Sequence, residues 1–69
     1  MTVTIKSTDK NRAIINEQHE KLQLIETELK RFNDGLDIEF RFGHSLTGEI
    51  RYTTMLEILD ALGVDYEIK

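Results

Sequence analysis

The chain contains no cysteine, no proline and no tryptophan. Without cysteine there is no disulfide to staple the fold and no thiolate to hold zinc. That absence fits a reducing cytosol. Long apolar runs are missing too. None approaches the roughly 20 residues that a membrane-spanning helix needs. The opening stretch, MTVTIKSTDK, lacks the apolar centre of a signal peptide. Positive charge is in deficit: nine Lys and Arg stand against 13 Asp and Glu, a net charge of −4. Nucleic-acid backbones and anionic membranes are bound chiefly through cationic faces, so this balance argues against both as general partners. It leaves room for a local basic patch. There is no internal repeat, low-complexity tract or linker.

What is present is enough for one small folded unit. A length of 69 residues implies a single domain, 1–69, that is only marginally stable alone. A hydrophobic content of 39% supports a compact core and is too high for typical disorder. The expectation is a soluble, cytoplasmic protein.

Residues 2–6, TVTIK, alternate β-branched and polar side chains, the mark of a strand with one buried face. Ser7, Thr8 and Asp9 follow as candidate helix caps. From about Thr8 to Asn33 the period lengthens. Positions 15, 18, 22, 25, 29 and 32 fall three or four apart, all apolar (Ile15, Leu22, Ile25, Leu29, Phe32) except Gln18, and predict one long amphipathic helix, with Gly35 placed to stop it. At 1.5 Å per residue such a helix is roughly 37 Å long and overhangs any strand of this chain. Its three–four stripe has the spacing of a short coiled-coil seam. Ile15, Leu22, Ile25, Leu29 and Phe32 are therefore the candidates for self-association into a homodimer.

Residues 36–42, LDIEFRF, alternate without a fault, and Glu49–Tyr52, EIRY, repeats the pattern. The intervening GHSLTG, bounded by Gly43 and Gly48, then reads as the bend of a hairpin. Thr54 and Glu57 have capping-box spacing at the head of a second helix carrying Met55, Leu56, Leu59 and Leu62 and ending at Gly63. The tail, VDYEIK, alternates again. The order β-α-β-β-α-β predicts an α+β domain: an antiparallel four-stranded sheet with two helices on one face. In element order alone this resembles ferredoxin-like domains.

Chemistry is sparse. His44 and Ser45 lie in the GHSLTG segment, a candidate loop site. A phosphate loop, however, needs Lys followed by Ser or Thr at a helix start, and here Glu49 follows. His19 has Gln23 rather than a second histidine four residues on, a poor metal pair. No serine or threonine lies in a nucleophile motif. No catalytic residue, metal or cofactor is expected, and the chain reads as a non-enzyme. The aromatics Phe40, Phe42, Tyr52 and Tyr66 share the apolar side of their strands, so the open side has no platform for stacking bases. That open side is expected to carry Asp37, Glu39, Arg41, Glu49 and Arg51, a candidate docking face. The leading expectation is a small acidic interaction module, an adaptor or inhibitor that docks on a protein partner. Its setting would be that of the accessory proteins of bacteria, their phages and other mobile elements. The alternatives are a nucleic-acid-associated regulator and a small-ligand-binding domain.

Overall fold

The structure, a computed structural model, describes residues 1–69. Its elements are β1 (Thr2–Ile5), α1 (Asp9–Leu22), α2 (Glu26–Asn33), β2 (Ile38–Arg41), α3 (Leu46–Leu62) and β3 (Tyr66–Ile68). The strands form one sheet in the order β2-β1-β3, and β1 runs antiparallel to both neighbours. The class is α+β as expected. The four-stranded sheet with two helices is not: there are three strands and three helices, so the ferredoxin-like arrangement is overturned.

The first correction concerns GHSLTG and EIRY. Neither a bend nor a strand forms there; both enter α3. The Ser45 hydroxyl caps the helix by accepting the Gly48 N–H at 3.1 Å. Four alternating residues are too few to separate a strand from one helical turn. Tyr52, Met55, Leu56 and Leu59 lie at i, i+3, i+4 and i+7, and that longer period decides the outcome. The glycines matter for a different reason than expected. A Cβ on Gly48 would sit 2.6 Å from the Gly43 carbonyl oxygen. Gly48 thus lets the first turn of α3 press against the end of β2.

The second correction concerns the long helix, which breaks after Leu22. Gln23 takes the left-handed conformation (φ 56°, ψ 40°). Its N–H donates to Glu20 O at 3.2 Å, and the Leu24 N–H donates to His19 O at 3.3 Å. This is the Schellman closure that glycine usually supplies. The same closure ends α3 at Gly63, where Gly63 and Val64 donate to Asp60 and Leu59. The break turns α2 back against α1. Leu22, Leu24 and Phe32 can then all be buried, and two short helices replace the single long one: the molecule measures 33 × 20 × 20 Å. Asn16 and Asn33 fasten the two helices by exchanging amide hydrogen bonds of 2.8 and 2.9 Å.

The core joins Val3 and Ile5 of β1 and Ile38 of β2 to Ile15, Phe32 and Leu59 of the three helices. One polar side chain lies inside it. Asn11 is fully buried, and its amide donates to Lys6 O at 3.0 Å and Asp65 O at 2.9 Å. Its Oδ1 accepts the Asp65 N–H at 3.1 Å. The end of β1, the start of α1 and the approach to β3 are tied at this single residue.

Candidate functional site

Of the five residues expected to mediate self-association, Ile15, Leu22 and Phe32 are buried in the chain's own core and Leu29 packs against it. Ile25 is exposed, at the break between α1 and α2. The five do not form a stripe on the surface.

The expected docking face divides in two. Asp37, Glu39 and Arg41 belong to β2 or its approach, on the sheet face opposite the helices. Glu49 and Arg51 lie on α3 instead. Asp37 serves the fold: it accepts the Ser7 N–H at 3.0 Å and pairs with Lys6 at 3.5 Å. Lys6 also reaches Glu67 at 3.7 Å, and Arg41 reaches Glu39 at 3.7 Å. These are exposed pairs, each contributing at most about 1 kcal/mol. Thr4 lies across the sheet from both Glu39 and Glu67 and is buried, yet its hydroxyl has no hydrogen-bond partner.

The loop site is also reassigned. The Ser45 hydroxyl is occupied as a helix cap, and His44 is exposed. His19 Nδ1 lies 3.3 Å from Asn16 O on its own helix. No group of three or more His, Cys, Asp or Glu residues is arranged to hold a metal ion. The titration of Tyr66 is displaced. Its hydroxyl donates to Asp60 Oδ1 at 2.8 Å, and that bond, more than desolvation or the Asp60 charge, raises its pKa above the ordinary tyrosine value.

The feature the sequence reading missed is a groove of about 430 Å³ between the end of α1, the end of β2 and α3. Leu22, Phe40, Phe42, Met55 and Ile58 supply apolar surface within it. Phe42 is fixed edge-on against Tyr52, with ring centres 5.5 Å apart. Ile50 lies on the groove at 58% exposure, and Leu46, one turn earlier, is 73% exposed. Lys21, Arg51 and the strand-edge Arg41 border it against a single acid, Glu28. A signal was available. Once α3 begins at Leu46, the pair Leu46 and Ile50 at i, i+4 falls outside the buried stripe of Tyr52, Met55, Leu56 and Leu59. A second hollow follows β2 itself, lined by Glu28 and Arg31 of α2 and by residues Leu36 to Arg41 except Phe40.

No family model matches this chain, and no curated protein or solved structure is similar to it. Function is therefore argued from the geometry and its chemistry. No helix is long and apolar enough to cross a membrane.

Proposed function

We propose that the protein is a non-enzymatic interaction module that receives an apolar, acidic segment of a cytosolic protein partner in the groove between α1, β2 and α3. The observation that carries this reading is a reversal of charge. On a chain of net charge −4, the groove is bordered by Lys21, Arg41 and Arg51 with Glu28 the only acid, around an apolar floor that continues outward to Ile50. An apolar anchor flanked by carboxylates complements both features. A small-molecule site of this size is ordinarily fixed by a few precisely placed polar groups. Here the polar side chains Lys21, Gln23, Arg51 and Thr54 are all exposed, a poor start for ligand specificity and an ordinary one for a protein interface rim. Two members of the expected docking face, Arg41 and Arg51, remain part of the surface so defined.

The test is capture from the source cells with wild type, Ile50→Asp, Arg51→Glu and the distant control Glu17→Lys, in the presence of nuclease. One protein should be retained by wild type and Glu17→Lys and lost with both groove variants. Equal retention by all four would overturn the groove as the docking surface. Recovery that disappears on nuclease treatment would favour the nucleic-acid reading instead.

A further inference from the structure

The sheet has two free edges, and they differ in what a second copy of the chain would meet there. At β2, Phe42 and Met1 exchange backbone hydrogen bonds: the Phe42 N–H donates to Met1 O at 2.9 Å, and the Met1 nitrogen donates to Phe42 O at 3.1 Å. Antiparallel alternation then turns the N–H and C=O of Phe40 and Ile38 toward β1. The backbone groups of Glu39 and Arg41 face outward, along the hollow beside β2. At β3, Thr2 and Lys69 exchange bonds of 3.0 and 2.8 Å. Glu67 is thereby directed at β1, and Tyr66 and Ile68 face outward.

From this difference we infer that two copies of the chain associate edge to edge through β2, antiparallel about a two-fold axis at Phe40, giving one six-stranded sheet. In this register Glu39 lies directly opposite Arg41 of the second copy, and Arg41 opposite Glu39 of the second copy. Both are the outward-facing residues that can exchange hydrogen bonds. Phe40 meets its own copy, and Ile38 meets Phe42 of the second copy, on the helix-covered side. Shifting the register by one pleat one way sets Arg41 against Arg41; shifting it the other way sets Glu39 against Glu39 and brings Arg41 opposite Asp37, whose carboxylate is already engaged by the Ser7 N–H and Lys6. The same operation on β3, pairing Tyr66 with Ile68 of the second copy, sets Glu67 against Glu67. Under the same operation one edge is thus self-complementary, and the other sets like charges together as protected edge strands do. An isologous contact of this kind closes after two subunits. The contact shares Phe40, Arg41 and Phe42 with the docking groove, whereas Glu39 lies outside the groove and Lys21, Ile50 and Arg51 of the groove lie on α1 and α3. E39R on one side, and Ile50→Asp and Arg51→Glu on the other, therefore separate the two readings.

Charge exchange tests the register. Glu39 and Arg41 are both exposed, so E39R and R41E should fold as the wild type does, which circular dichroism verifies. In analytical ultracentrifugation the wild type should be a reversible dimer. E39R alone carries cations at both positions and should be monomeric. R41E alone carries acids at both and should be monomeric too. A 1:1 mixture of the variants should recover a dimer. The amides of Glu39 and Arg41 should exchange slowly with deuterium in the wild type and fast in either variant. A wild type that stays monomeric over the accessible concentration range overturns the inference, as does a dimer that both variants retain. Protection of the Glu39 and Arg41 amides appearing only when another protein is added would likewise overturn it, in favour of a strand supplied by that partner.

Discussion

Asn11 and the α3 groove are opposites. At Asn11 a polar side chain lies wholly inside the protein, and its amide group is fully matched by backbone groups of Lys6 and Asp65. At the groove Ile50 lies largely outside, and so does Leu46 one turn earlier on α3. A buried amide with a complete set of partners costs little and fixes one geometry, because any other arrangement strands those partners. Exposed apolar groups at i, i+4 beside a concave apolar floor contribute little to the fold, and what they lack is a second surface. The first site accounts for why the chain adopts one structure. The second marks where that structure is incomplete.

The contrast can be broken most severely at Asn11. Asn11→Ala leaves the Asp65 N–H and carbonyl without their Asn11 partner and strips one of two donors from the Lys6 carbonyl, which keeps the Thr8 N–H, and should cost about 3 kcal/mol. That is a large share of the roughly 3–10 kcal/mol available to a chain of this length. Denaturant melts should show the loss as a lower midpoint. Thr4 sharpens the comparison, since it is a buried polar group whose partner is missing. Thr4→Val keeps the shape and removes the unmatched hydroxyl, and should raise stability by about 1 kcal/mol. A drop in melting temperature would mean that the hydroxyl is satisfied after all. Ile50→Ser should move stability by less than about 0.5 kcal/mol, as an exposed position does, while weakening capture of the partner. A large loss of stability would place Ile50 in the core.

The smallest effect concerns Tyr66 and its bond to Asp60. The folded-state pKa is raised, so the protonated phenol's contribution is complete below the unfolded value of about 10 and is lost as pH rises through the folded value. Wild type should therefore lose melting temperature faster than Tyr66→Phe above about pH 10, and the two should run parallel below it. Parallel curves throughout would show that the bond does not persist in solution.

Much of the fold is legible from residue spacing. TVTI, IEFR and YEI alternate and are strands; Ile15, Leu22, Leu29 and Phe32, and Met55, Leu56, Leu59 and Leu62, are helical and face the core. The two errors have physical sources. Gln23 takes a left-handed conformation that nothing about a glutamine announces, so one helix reads on through what is a break. EIRY satisfies a two-residue period over too short a span, while Ser45 and the close approach at Gly48 begin a helix beneath it. The groove was harder still. Its walls come from residues 21–28, 40–43 and 48–58, and no local pattern joins those segments. The β2 charges were visible from the start; what they face became definable only when the order β2-β1-β3 showed that β2 is an edge.

That strand order also bears on how the molecule comes to be folded. Of these three strands the first in chain order is the middle one, and one of its two neighbours is the last in chain order. The Asn11–Asp65 tie joins residues 54 apart in sequence, so loop-closure entropy must be met before that contact returns anything. Until residues 64–68 arrive, β1 presents TVTI with an unprotected flank, and Asn11 lacks its two bonds to Asp65. Proteolysis or truncation ahead of Val64 should therefore release an aggregation-prone chain rather than a smaller stable one.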